Sequence, residues 1–217
     1  MWRIDFQRAD AESFQRLSSC FAGGGVAAFP SESSYGLAAS AFDPRGVRRI
    51  LAMKSERGTK PLPLILSDPA LVSQVALALP PLFSELTRAF WPGPLSVLVR
   101  ARAEVAAEVL ARGCFVAVRV PGHAAARWTA KAAGGAATAT SANHSGEPPL
   151  DDPDALAKEL GEALDCLVDD GACPGGAPST IIDLFGSPPR ILRPGRIRRE
   201  AIEACLGIGI DSGGPDQ

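Results

Sequence analysis

Apolar residues recur along the chain with two spacings, one typical of helices and one typical of strands. Helical spacing over 10–21 stops at three consecutive glycines, and a short apolar run at 26–30 follows, which predicts a helix and then a buried strand. Asp43 followed by Pro44 predicts the start of a helix that ends near Lys54. Similar signals predict further helices at 68–79, 81–90, 103–112, 123–133 and 152–164, and strands at 62–66, 95–99, 115–120, 136–140, 167–168 and 179–184. Helices and strands alternate throughout, so the predicted fold class is α/β.

Length and composition favour one compact domain. The chain has 217 residues, 46% of them hydrophobic, which is enough to bury a core. We predict a domain over 1–210 and a frayed tail over 211–217, where glycine and polar residues predominate. The formal net charge of −2 argues against a protein that coats nucleic acid by bulk charge alone, so any polyanion must be bound by a local cluster of cations.

Cysteine and hydropathy patterns exclude several other classes. Five cysteines are widely spread without a Cys-x-x-Cys pair, and the chain has two histidines, so neither a zinc site nor a disulfide framework is predicted. No segment approaches the roughly 20 apolar residues that a membrane-spanning helix needs. From these features we expect a cytoplasmic protein with no membrane partner.

The first candidate for chemistry is the hydroxyl-rich segment PSESSYGL at 30–37. It comes directly after a predicted buried strand, where ligands collect in open α/β sheets. The hydroxyl groups, among them that of Ser33, could bind a small polar ligand. They could equally stabilise an ordinary turn by bonding to the backbone.

Cationic residues form the second candidate, because they could neutralise the phosphates of a nucleotide. Arg45, Arg48 and Arg49 lie opposite the apolar stripe of their helix, which favours a solvated face. The better candidates follow the helix: Lys54, Arg57 and Lys60.

Further along the chain, Arg119 ends a strand with apolar neighbours and therefore needs an anionic partner. A substrate carboxylate and a structural salt bridge are both consistent with this position. Ser141 and Asn143 follow another strand in TSANHSG, and Ser179 and Arg193 lie near the C-terminus in STIID and LRPG.

The order of these segments along the chain indicates a protein family, which no single segment does. PSESSYGL, Lys54 with Arg57 and the KPL of 60–62, VAVRVP, TSANHSG, STIID and LRPG together resemble the YrdC/Sua5 family of threonylcarbamoyl-AMP synthases, over about 28–195. The resemblance is to the short, single-domain form. It implies a twisted open mixed sheet with flanking helices and a large concave basic cavity.

Two departures from the family pattern stand out. Ser31 and Ser33 replace threonines of the first loop, which keeps the hydroxyl groups and removes the methyl groups. The family's Lys-x-Arg signature reads Lys54-Ser-Glu-Arg57 here, so that Glu56 occupies the usual arginine position.

The resemblance also implies an activity and a set of roles. Threonine would be bound by Ser33, Arg119 and Ser179, with its carboxylate on Arg119. ATP would be surrounded by Lys54, Arg57, Lys60, Ser141, Asn143 and Arg193, and Lys54 and Arg57 would act in catalysis.

The implied reactants are ATP with Mg²⁺, L-threonine and bicarbonate, and the product would pass to downstream threonylcarbamoyl-transferase proteins for the modification of adenosine 37 in tRNA. The alternative is a family relative that binds RNA or a nucleotide and has no synthase activity.

Overall fold

The structure is a computed structural model that describes residues 1–54 and 61–211. The predictions for Arg57, Lys60 and the tail beyond Asp211 lie outside these residues. The helices are α1 (Ala11–Ala22), α2 (Pro44–Met53), α3 (Val72–Val75), α4 (Phe83–Phe90), α5 (Ala124–Ala132), α6 (Pro153–Leu160) and α7 (Arg199–Leu206). The strands are β1 (Trp2–Asp5), β2 (Ala27–Phe29), β3 (Gly36–Ala38), β4 (Leu64–Leu66), β5 (Ala76–Ala78), β6 (Leu95–Ala101), β7 (Phe115–Arg119), β8 (Ala136–Thr138), β9 (Thr140–Ser141), β10 (Cys166–Asp169), β11 (Thr180–Asp183) and β12 (Arg190–Arg193).

Aspartate side chains begin three of the helices. The carboxylate of Asp10 accepts the N–H of Ser13 at 2.9 Å at the start of α1. Asp43 accepts the N–H of Arg45 before α2, and Asp152 caps α6; in both cases proline occupies the first turn. Because a capping carboxylate satisfies N–H groups that the helix leaves unpaired, these boundaries follow from the local sequence.

The strands form two mixed sheets. One has the order β1-β10-β2-β3-β9, and the other has the order β12-β11-β6-β7-β4-β8, with β5 paired to β6. Both contain parallel and antiparallel pairs. The predicted α/β class with mixed sheets and flanking helices is confirmed, and the strands are divided between two sheets where a single sheet was expected.

Buried residues join the two sheets. Thr138 in β8 is fully buried; its hydroxyl accepts the N–H of Ala39 at 3.0 Å and donates to the carbonyl of Leu37 at 3.2 Å. The larger apolar cluster draws on both sheets and includes Leu37 and Val97. A second cluster packs α1 and α5 against the strands. Within the described ranges, no helix is long and apolar enough to cross a membrane.

Two predicted helices are wrong. The segment 103–112 forms only a 3₁₀ turn at Ala107–Val109, since the N–H of Ala106 bonds to the carbonyl of Ala41 rather than within a helix. The segment 68–79 is divided into a 3₁₀ turn, the four-residue α3 and strand β5, which pairs with β6. In both places tertiary hydrogen bonds outweigh helix propensity.

The predicted start of the tail is wrong at Asp211, which is held by backbone hydrogen bonds. Its N–H donates to the carbonyl of Pro189, and its own carbonyl accepts the N–H of Ile191, each at 2.8 to 2.9 Å. Asp211 is therefore part of the sheet edge beside β12.

Candidate functional site

A turn after β2 presents serine hydroxyls to a cavity. Ser31 is buried, and its hydroxyl donates to the carbonyl of Ser34 at 2.6 Å and accepts the N–H of Ser33 at 3.3 Å. Ser33 and Ser34 line the cavity beside the turn. The turn interpretation is therefore confirmed for Ser31, and the turn that it stabilises places Ser33 at the cavity wall, where binding of a ligand stays a prediction.

Lys54 lies at the end of α2, with only 3% of its surface exposed. Its ammonium donates to the backbone carbonyl and to the side-chain Oδ1 of Asn143, which follows β9. The hydroxyl of Ser141 donates to the same Oδ1 at 2.7 Å, and the Asn143 amide donates to the carbonyl of Glu147. Three predicted site residues thus form one hydrogen-bonded group.

Arg119 ends β7 and carries an ion pair with Glu32 of the first loop. Its Nη1 lies 3.2 Å from Oε1 and 3.1 Å from Oε2 of Glu32. Burial opposes ionisation of Glu32, but the positive charge of Arg119 and the N–H of Gly122 outweigh it and hold the pKa of this carboxyl below its ordinary value. The structural salt bridge is therefore present, and Arg119 also lines the cavity.

Ser179 and Arg193 meet where β11 and β12 pair. Arg193 donates through Nε and Nη2 to the Ser179 carbonyl, at 3.2 and 2.9 Å, and through Nη2 to the Ser179 hydroxyl at 3.0 Å. The same hydroxyl lies 3.1 Å from the hydroxyl of Ser96 in β6, which is fully buried. This arrangement fixes the position of the Ser179 oxygen.

All these segments line one cavity of about 750 Å³. The predicted site residues in its wall are Ser33, Lys54, Arg119, Ser141, Ser179 and Arg193. Asn143 lies against two of them through its hydrogen bonds. The described lining includes three cationic side chains and the carboxylate of Asp151, so the wall is basic, as expected.

The three arginines of α2 lie at the protein surface, away from the cavity. Arg45, Arg48 and Arg49 form surface ion pairs with Asp43, Glu108 and Asp165, at 2.6 to 2.7 Å. The prediction of a solvated helix face for these residues is confirmed.

Sequence reasoning missed several contributors to the cavity wall. Ser96 is the clearest, and its signal is a hydroxyl group inside the otherwise apolar run 95–99 of β6. Tyr35 is also buried, and its hydroxyl donates to the carbonyl of Gly171 at 2.8 Å. This bond connects the glycine- and proline-rich loop at 171–178 to the site. Cys173 in that loop has a pKa raised to about 11 by burial, so it is a neutral thiol.

The Sua5/YciO/YrdC family model, described as "Telomere recombination", matches residues 19–195. A threonylcarbamoyl-AMP synthase of Pyrococcus abyssi is 36% identical over 185 residues, which cover 85% of this chain and 54% of that protein. One of Chromobacterium violaceum is 34% identical over 188 residues, with 82% of this chain and 91% of that protein covered.

A solved structure, that of P. abyssi Sua5 complexed with L-threonine, superposes with a TM-score of 0.86 at 31% identity. The superposition covers 96% of this chain and 61% of that one. The chain thus spans 54% of the Pyrococcus relative and 91% of the Chromobacterium relative.

Proposed function

The chain belongs to the Sua5/YciO/YrdC family, and on that basis we propose that it is a threonylcarbamoyl-AMP synthase. It forms threonylcarbamoyl-AMP and pyrophosphate from L-threonine, bicarbonate or CO₂, and ATP. The product serves the threonylcarbamoyl modification of adenosine 37 in tRNA, through downstream transferase proteins.

One observation carries the proposal: four separate segments place Lys54, Arg119, Ser141 and Arg193 around a single cavity. A volume of about 750 Å³ falls within the range of small-molecule sites and suits a nucleotide beside an amino acid. Cationic side chains and hydroxyl groups are the donors that phosphate and carboxylate oxygens need.

We assign the two substrates to adjoining parts of the cavity. Ser33, Arg119 and Ser179 bind threonine, with the carboxylate on Arg119. ATP is bound by Lys54, Ser141, Asn143 and Arg193, together with Arg57 and Lys60. The hydrogen bond between Arg193 and Ser179 supports adjoining subsites, because these two residues, which we assign to different substrates, are in direct contact.

The chemistry requires no nucleophile from the protein. The threonine amine attacks CO₂ and loses a proton to give a carbamate, and a carbamate oxygen then attacks the α-phosphorus of ATP. The bond from the α-phosphorus to the bridging oxygen breaks, and pyrophosphate leaves with the electron pair. The protein contributes by orienting the reactants and by placing positive charge near the phosphates, and we assign catalytic roles to Lys54 and Arg57.

Mg²⁺ enters with ATP as part of the substrate. Among residues 1–54 and 61–211, no three His, Cys, Asp or Glu side chains are grouped so as to hold a metal. The lining offers serine hydroxyls and the Asp151 carboxylate, which suit an ion held mainly by phosphate oxygens and water.

The test is pyrophosphate release from the purified chain with MgATP, L-threonine and bicarbonate. We expect release that requires all three, and formation of threonylcarbamoyl-AMP by mass spectrometry. Omission of each substrate in turn is the control. Binding of ATP or RNA without any release would instead support the binding protein without synthase activity.

A further inference from the structure

We propose that Glu32 is a positioning residue that orients Arg119 so that one edge of its guanidinium faces the carboxylate of the amino-acid substrate. The inference rests on the proposed function and concerns the same cavity. Glu32 is outside the described set of cavity-lining residues, whereas Arg119 is within it.

The ion pair between Arg119 and Glu32 engages one nitrogen of the guanidinium. Both carboxylate oxygens of Glu32 approach the same nitrogen, Nη1 of Arg119, at 3.1 and 3.2 Å. Within the described part of the chain, the hydrogen bonds of the Arg119 side chain all run from Nη1 to Glu32. Among the described side chains, neither Nε nor Nη2 of Arg119 is a buried nitrogen that lacks a partner. Because Arg119 lines the cavity, these two nitrogens are the donors that it can offer to a ligand there.

The edge formed by Nε and Nη2 is the one that fits a carboxylate best. These two nitrogens present parallel N–H groups to the two oxygens of a carboxylate, and such paired bonds set its orientation. An unsupported arginine side chain would populate several rotamers, and binding would then have to fix one of them. Because Nη1 is bonded to Glu32, the rotamer of Arg119 is already fixed before the substrate binds.

The carboxylate of Glu32 is itself fixed by a backbone hydrogen bond. Its Oε1 accepts the N–H of Gly122 at 2.6 Å. The carbonyls of Pro121 and Gly122 accept hydrogen bonds from Nη1 of Arg127 in α5, at 2.8 and 2.7 Å. The orientation of Arg119 is therefore linked, through Glu32 and this loop, to a helix of the core.

Glu32 could alternatively be a competitor, occupying Arg119 until a substrate carboxylate displaces it. The contacts argue against this, because Nη1 is the one nitrogen of Arg119 that Glu32 contacts in the described structure, and Oε1 of Glu32 also accepts the N–H of Gly122. The two roles predict opposite effects of substitution. Removing a positioning residue weakens threonine binding, whereas removing a competitor strengthens it.

The test measures the dissociation constants of L-threonine and MgATP by calorimetry for the wild type, Glu32→Ala and Glu32→Gln. We expect threonine binding to weaken by about 10- to 100-fold in Glu32→Ala, and less in Glu32→Gln, which retains an acceptor for the N–H of Gly122. The affinity for MgATP should be unchanged. Glu159→Gln, at an exposed position on α6, is the matched control.

Two further measurements separate positioning from general damage. L-threoninol, which lacks the carboxylate, should bind equally to the wild type and to Glu32→Ala. In an Arg119→Ala background, Glu32→Ala should cause little additional loss of threonine affinity, because its effect acts through Arg119. Equal losses for threonine and threoninol would overturn the proposal.

The outcomes also separate this inference from the proposed function. An active wild type whose Glu32 variants bind threonine as well as before, or better, overturns the positioning role and leaves the synthase intact. A wild type that releases no pyrophosphate, but whose threonine affinity falls in the Glu32 variants, overturns the synthase and supports the positioning role.

Discussion

The side chains of Lys54 and Asn143 are hydrogen-bonded in the cavity although 89 positions separate them in the sequence. Lys54 ends α2, and Asn143 follows β9, so this contact joins a helix end to a strand end. In the proposed assignment of ATP to this part of the cavity, a buried ammonium among oxygen acceptors is already oriented when phosphate arrives. Little reorganisation is then needed as charge develops on the phosphates.

Replacing Lys54 with alanine should lower the rate of pyrophosphate release by about 10²-fold or more, because a preorganised cation near the reacting phosphate is lost. The measurement is the initial rate with MgATP, threonine and bicarbonate all saturating. Lys158→Ala, at an exposed position on α6, should leave the rate unchanged. An unaltered rate in a folded Lys54→Ala protein would remove Lys54 from the mechanism.

Replacing Ser179 with alanine should raise KM for threonine by about tenfold, the effect expected for the loss of one substrate hydrogen bond. The Arg193 Nη2 contact to the hydroxyl also disappears, while its contact to the Ser179 carbonyl remains. Ser73→Ala, at an exposed position in α3, serves as the control. A KM equal to that of the wild type would place threonine elsewhere in the cavity.

Thr138→Val should lower the free energy of unfolding by about 1–3 kcal/mol, because the buried N–H of Ala39 loses its acceptor. Urea titration followed by circular dichroism measures this change. Thr129→Val is a matched control, since Thr129 is equally buried but its hydroxyl only donates to Ala125 within α5. Its cost should stay below about 1 kcal/mol, and equal losses for the two variants would contradict the argument.

Because of Asp165, the free energy of unfolding should depend on pH in acid solution. Burial opposes its ionisation, but the hydrogen bonds from Arg49 and from the N–H of Val26 outweigh it and lower its pKa. Because the folded-state pKa lies below the unfolded one, the ionised carboxylate stabilises the fold above about pH 4, and this contribution is lost as the pH falls further.

Asp165→Asn should therefore reduce stability at neutral pH and bring the two proteins closer together in acid. Urea unfolding of both proteins at neutral pH and in acid measures the difference. Glu162→Gln, at an exposed position, is the control. A gap between wild type and Asp165→Asn that does not narrow in acid would show that the carboxylate charge contributes nothing.

The helix starts at Asp43 and Asp152 were predictable because a capping carboxylate and a proline act within a few residues. The segment 103–112 was not, because its backbone bonds to a carbonyl at Ala41 that no local pattern reveals. Ser96 was missed for a related reason: its partner Ser179 lies 83 positions away.

The α/β class, most element positions and the polar segments at the strand ends were predictable from the amino-acid pattern, since these depend on local spacing and on residue type. The partner of each charged group depends instead on how the elements pack together: Arg48 and Arg49 form ion pairs at the surface, whereas Arg119 pairs with Glu32 beside the cavity. Residues distant in sequence become neighbours only when strand order and register are fixed, and a charge's effect depends on the groups placed within a few ångströms of it.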